Sequence, residues 1–165
     1  DFTDATLTTS AISNNQLFNQ AVLTRARIDA SFVSRVLGIE PMPDIKEKVL
    51  EAVLDADKQI AAHIDLSDGE YLDEVGSSVQ LPSGEVLSLD MTSWNRCGTV
   101  KCLGGWIYSL HPQGVMLEKL YQPSAAAAFI LLASGIDVPD FYDTSGDCNL
   151  RAMNWLRTGS QTLPT

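Results

Sequence analysis

At 165 residues, with 45% apolar side chains, the chain is long enough for one domain with a real core and too short for two ordinary ones. A net charge of −10 argues against nucleic acid as a partner, because such binding rests on basic side chains meeting phosphates, and the longest apolar run, residues 125–133, is under half of the roughly 20 residues that a membrane-spanning helix needs. Of the 21 acids 13 fall in residues 40–90, against 3 of the 11 bases, so one third of the chain carries the whole excess: a solvated acidic face, or an acidic docking surface for a basic partner.

Residues 1–11 are polar, threonine-rich and without periodicity, and read as an extended N-terminal arm. The chain opens on Asp1, as expected of a processed or trimmed N-terminus. Everything from 12 to 165 reads as a single helical domain. Ser13 as N-cap, Gln16 closing a capping box and Ile12 stapled against Leu17 form a helix-start signature. Leu17, Phe18, Ala21, Val22, Ile28, Phe32, Val33, Val36 and Leu37 then recur at helical spacing up to Gly38. A long helix within 12–38, of about 24 residues and so roughly 36 Å from end to end, is expected, with its first half projecting toward a partner.

Pro41 and Pro43 interrupt the chain, and Asp44 with Glu47 forms a second capping box. The helix that follows is expected to reach His63, with Ile45, Val49, Val53, Ile60 and Ile64 inward and Glu47, Lys48, Glu51, Asp55 and Lys58 outward. Residues 65–74 form an acidic loop. A calcium loop with Gly69 at its glycine position would place Ile64 and Val75 where ligands belong, which argues against calcium. Residues 78–87 alternate around Pro82-Ser83-Gly84 and predict a small β-hairpin.

The densest stretch runs over residues 89–110, where Trp94, Cys97, Thr99, Cys102, Gly104, Gly105 and Trp106 gather. Thr99 is a good N-cap for a helix over 100–110 whose apolar stripe is Cys102, Leu103, Trp106, Ile107 and Leu110. Two glycines inside a helix each cost about 1 kcal/mol relative to alanine, so another backbone or an aromatic ring is expected against them, supplied by Trp94 or Trp155. Farther on, His111-Pro112-Gln113-Gly114 ends that helix and residues 115–121 make two turns. Ser124 is the expected cap of an all-apolar helix over 125–134 stopped by Gly135. After a loop, a last helix covers 147–157, with Leu150, Met153, Trp155 and Leu156 for packing and Gly159 as its stop. The expected fold is mainly α: five to six helices with one small hairpin, folded round the Trp94–Trp106 segment.

Trp94-x-x-Cys97-Gly98-Thr99-x-x-Cys102-x-x-Gly105-Trp106 resembles a pattern of small bacterial and phage proteins written CGTxxCxAGW, with Leu103-Gly104-Gly105-Trp106 standing where that pattern often has x-Ala-Gly-Trp. The resemblance covers residues 44–110. It implies a shared local fold and brings no agreed activity.

Several chemistries are weighed against packing. Cys97 and Cys102 flank the expected N-cap closely enough for a candidate disulfide, with reduced packed thiols as the alternative; three cysteines do not settle the compartment. Cys102 near a helix N-terminus, beside Lys101 and Arg96, is placed where a thiolate would be favoured, yet the spacing is not the CxxC of thiol oxidoreductases. Cys97, Cys102, Cys148, His63 and His111 are the candidate zinc ligands, without the paired knuckles of structural zinc. His63 and His111 are instead expected to face the C-terminal carbonyls of their own helices. Asp143-Thr144-Ser145-Gly146 reads as a turn before the last helix. No phosphate loop, nucleophile elbow or HExxH motif occurs.

The function expected from these residues is a non-enzymatic structural or interaction subunit docking into a larger protein assembly, without a cofactor. The setting is soluble or peripheral in a virion, an organelle or the bacterial cytoplasm. Two alternatives stay open: a small thiol-redox or metal-dependent enzyme centred on Cys97 and Cys102, or a pigment- or lipid-associated accessory subunit. Trp94, Cys97, Thr99, Cys102, Gly104, Gly105, Trp106 and Trp155 are assigned structural roles.

Overall fold

A computed structural model describes residues 1–6, 22–63, 70–72, 78–80, 84–93 and 100–165. Among these the chain is mainly helical: α1 is Ala30–Leu37, α2 Ile45–His63, α3 Leu103–Leu110, α4 Gly114–Tyr121, α5 Pro123–Ala133 and α6 Cys148–Thr158. Of these helices, none is long and apolar enough to cross a membrane.

α5 has no polar face, and it lies where such a helix must, covered on all sides: every residue from Ser124 to Ala133 is buried. α4, α3 and α1 pack against it, and the Phe129 ring stands 5.0 Å from that of Tyr121, tilted by 55°. Its start lies two residues earlier than expected. Pro123 takes the first helical position, where its fixed φ suits the helix and its missing N–H costs nothing, so Ser124 falls inside the first turn and does not cap it. The Ser124 hydroxyl is buried and has no hydrogen-bond partner among the described residues. The far end closes as a Schellman motif: Gly135 N donates to Leu132 O at 3.1 Å and Ile136 N to Leu131 O at 2.9 Å, with Gly135 at φ 73°.

α2 follows the periodicity closely, with Ile45, Val49 and Val53 fully buried and Ile60 half-buried. It packs against α3 and α6. α6 spans nearly the predicted range and ends, as expected, on left-handed Gly159, whose N–H reaches Trp155 O at 2.8 Å.

The long helix expected over 12–38 does not form across 22–29; residues 7–21, with the Ser13 signature, lie outside the described residues. Helix α1 starts only at Ala30. Backbone groups of 22–27 have partners elsewhere: Phe2 N donates to Val22 O (2.8 Å), Asp4 N to Thr24 O (2.9 Å), Arg27 N to Ala5 O (2.8 Å) and Arg25 N to Val138 O (2.9 Å). The start of the arm and residues 22–27 thus form a short ribbon that sets Leu23 and Ala26 into the core. The expected stripe also named other side chains over 22–28: Val22 and Ile28 are only partly buried, while Leu23, Thr24 and Ala26 are the ones that enter the core.

The hairpin predicted around Pro82-Ser83-Gly84 is not found either. Ser78–Gln80 pairs backward with Glu70–Leu72, in antiparallel register Tyr71↔Val79, and residues 81–83 lie outside the described residues. The returning arm of the expected hairpin is engaged by α2 instead. Leu87 N donates to the Asp57 carboxylate and Ser88 Oγ to Val53 O.

Candidate functional site

The segment that the sequence singles out is held by a junction that the sequence did not. Ser88 is fully buried between apolar neighbours, and its hydroxyl donates to the Val53 carbonyl of α2 at 2.7 Å. Its carbonyl accepts twice, from Lys101 N at 3.1 Å and from the Trp106 indole Nε1 at 3.0 Å. One small residue therefore ties α2, the approach to α3 and the Trp106 ring together. Asp90 N returns a bond to Lys101 O at 3.1 Å, and Met91 N donates to the Asn149 side chain of α6 at 2.8 Å.

These bonds move the start of α3. The backbone of Lys101 bridges to 88–90 and is not free to be helical, so the helix begins at Leu103 and its cap is Cys102, not Thr99. The Cys102 sulfur accepts from Gly105 N at 3.4 Å, doing weakly what a hydroxyl does at most N-termini. Trp94, Cys97 and Thr99 lie outside the described residues. Cys102 is a free thiol, so of the two alternatives the reduced, packed thiol is found and the candidate disulfide to Cys97 is not formed.

The glycine pair is placed as its cost implies. A Cβ on Gly104 would lie 3.7 Å from both the Phe141 ring and Ala127 Cβ, so α3 and α5 approach closely there under an aromatic lid. The ring at Gly104 is that of Phe141 and not that of Trp155, while Trp94 lies outside the described residues. Trp155 is buried in α6, where Lys46 of α2 sits 5.4 Å from its ring centre. Gly105 is buried beside Gly104. At the other end of α3, a Cβ on Gly114 would fall 1.6 Å from Tyr108 O, so only glycine permits the reversal into α4.

The electrostatics favour packing over reactivity. Burial pushes the Cys102 thiol up, against the smaller opposite pull of the N–H groups at the helix start, so the expected thiolate is not favoured. Lys101 does not pair with that sulfur. Its ammonium lies 4.7 Å over the Trp106 ring and 3.1 Å from Ser109 Oγ, and partial burial pulls its pKa down. Burial likewise raises Cys148.

His111 does not turn back to its own helix end. Its Nε2 lies 2.7 Å from Glu40 O and its Nδ1 accepts from Gln113 N at 3.1 Å. Since a carbonyl only accepts and an amide N–H only donates, the neutral ring carries its proton on Nε2. Gln113 completes the clamp, accepting from Glu40 N at 2.8 Å and donating to Gly38 O at 2.7 Å. With both nitrogens engaged His111 is not presented as a zinc ligand, and the described residues include no group of three or more His, Cys, Asp or Glu placed to hold a metal. The side chain of His63 lies outside the described features.

Asp143-Thr144-Ser145-Gly146 is a turn pinned to α6. The Asp143 carboxylate accepts from Ser145 Oγ at 2.7 Å and from Arg151 Nε at 2.5 Å, and this guanidinium holds its pKa down at about 2. Ser88, Phe141, Gln113 and Asn149 carry this architecture and were not singled out by pattern. Only Ser88 left a signal, a small polar residue between Leu87 and Leu89 in an apolar stretch. Compared with protein-family models, with curated proteins and with solved structures, the chain matches none.

Proposed function

We propose that the protein is a non-enzymatic interaction subunit that docks into a larger assembly through the outer side of α4. The supporting observation is the bare apolar surface of that helix: Val115, Met116 and Leu120 are 63%, 48% and 56% exposed. At 100° per residue these three, with Lys119, occupy one side, while Gly114, Leu117 and Tyr121 face the core. Clustered exposed apolar residues on two turns of one anchored helix are what a partner surface covers, unlike scattered single ones. The acidic excess of residues 40–90 favours a basic partner over a second copy bearing the same net charge of −10. The likeness of the Cys97–Trp106 segment to bacterial and phage proteins belongs to the same proposal, as a shared packing unit. A thiol enzyme is disfavoured by the buried, raised Cys102.

The test is chromatography of a native-source extract carrying tagged protein. The unaltered chain is expected to elute in a high-mass assembly and a Met116→Glu, Leu120→Glu variant as a folded monomer. Elution of both at the monomer position, or of both in the assembly, rejects the reading. Thiol titration separates the enzyme alternative: Cys102 is expected to react slowly when native and rapidly in denaturant, and fast native reaction would favour catalysis.

A further inference from the structure

The geometry points to a small-ligand site at the N-terminal ribbon, fitted to a zwitterion of the free α-amino-acid class. Residues 2–6 and 22–27 run side by side in the same direction, with a parallel bridge at Thr6↔Arg27, and the backbone bond from Arg25 N to Val138 O brings the 137–138 loop to their edge. Between them lies a cleft of about 300 Å³ lined by Asp4, Thr6, Arg25, Arg27 and Asp137. A cleft this size is at the small end of ligand pockets and ample for an amino acid.

The backbone is strained at this place. Asp4 and Arg25 hold left-handed φ values of 58° and 52°, a conformation that costs non-glycine residues on the order of 1 kcal/mol each. Their side chains face one another in a two-pronged ion pair, Nε to Oδ1 at 2.6 Å and the second nitrogen to Oδ2 at 2.9 Å. That pair satisfies both groups, and Asp140 adds further negative potential at Arg25. Three lining groups are left over. The Arg27 guanidinium, the Thr6 hydroxyl and the Asp137 carboxylate line the cleft with no side-chain hydrogen bond or ion pair within bonding distance among the described residues, although Arg27 also lends positive potential at Asp4.

The charges choose the ligand. The two arginines and two aspartates of the cleft cancel, so a simple anion drawn to Arg27 meets Asp137, and a simple cation meets the reverse. A molecule with a carboxylate and an ammonium a few ångströms apart answers both. Its carboxylate accepts from the Arg27 fork and the Thr6 hydroxyl, and its ammonium donates to Asp137. The lining residues are exposed, which sets the affinity at the order of millimolar. The cleft shares no residue with the outer side of α4, so it stands or falls apart from the docking reading.

Amide NMR titration of the full chain tests this, with glycine and L-alanine as zwitterions and acetate and methylammonium as their halves. Saturable shifts at Thr6, Arg27 and Asp137 are expected with the amino acids, and binding at least about tenfold weaker with either half, the loss that one charged hydrogen-bonded contact implies. Arg27→Gln and Asp137→Asn should each weaken glycine about tenfold at unchanged Tm. Absence of saturation well beyond millimolar glycine, acetate binding as tightly as glycine, or both variants binding like the unaltered chain would overturn the assignment. The glycine-to-acetate comparison needs no variant, so it decides even where a substitution disturbs folding.

Discussion

α4 and α5 are consecutive helices, both with large apolar side chains, that meet opposite fates. α5 has its whole circumference covered, whereas α4 buries Leu117 and Tyr121 and leaves Val115, Met116 and Leu120 in solvent. An apolar residue is therefore core or surface here according to which neighbours reach it. The surrounding helices close over α5, and no described element closes over the outside of α4. This asymmetry motivates the docking reading, and it has measurable consequences.

The largest effect belongs inside. Phe129→Ala empties a fully buried ring position against Tyr121 and should cost about 3–5 kcal/mol, measured by urea unfolding. A result under about 1 kcal/mol would mean that α5 is not the centre of the fold. Gly114→Ala drives a methyl into the Tyr108 carbonyl and should cost about 2–3 kcal/mol, since the junction between α3 and α4 must shift. Trp106→Phe keeps most of the apolar bulk and removes the indole bond to the Ser88 backbone carbonyl, for an expected loss of about 1 kcal/mol, and Ser88→Ala separately removes the hydroxyl bond to Val53 O at a similar cost, both read from urea unfolding.

A smaller effect lies in acid. The folded pKa of Asp143 is about 2 against an unfolded value near 3.9, so the stabilisation from its pair with Arg151 is present above pH ~4 and is lost as pH falls through about 2. Asp143→Asn should flatten the stability profile in that window and cost about 1 kcal/mol at neutral pH, read from urea midpoints as a function of pH. The smallest belongs outside: Leu120→Glu on α4 should change stability by no more than about 0.5 kcal/mol. A loss comparable to that of Phe129→Ala would show that the outer side of α4 is buried in the free protein.

Much of the helical architecture was legible because those helices announce themselves locally. α2 has buried apolar residues at regular spacing and α5 has no polar face, while Gly135 and Gly159 stop their helices where conformational freedom is needed. The failures have a common cause. Thr99 and Ser124 are both good caps in isolation, yet the helix starts moved, in one case because Lys101 is bonded to residues 88–90 and in the other because Pro123 already suits the first turn. The long N-terminal helix failed over 22–29 because backbone partners came from residues 2–5 and 138. At the central segment the glycine pair correctly implied a ring, but a periodic pattern carries no information on which distant ring arrives.

From residue order alone came the mainly helical class, the buried α5, the amphipathic α2 and the importance of Trp106 and the glycine pair, because side-chain periodicity and glycine's cost act within a few neighbouring residues. Tertiary structure alone decided that Ser88 is the junction, that Phe141 covers Gly104, that His111 and Gln113 clamp residues 38–40, and that Asp4, Arg25, Arg27 and Asp137 share a cleft. Those contacts join residues that are remote along the chain. Whether they form depends on which backbone donors and acceptors remain once the local elements have taken their own.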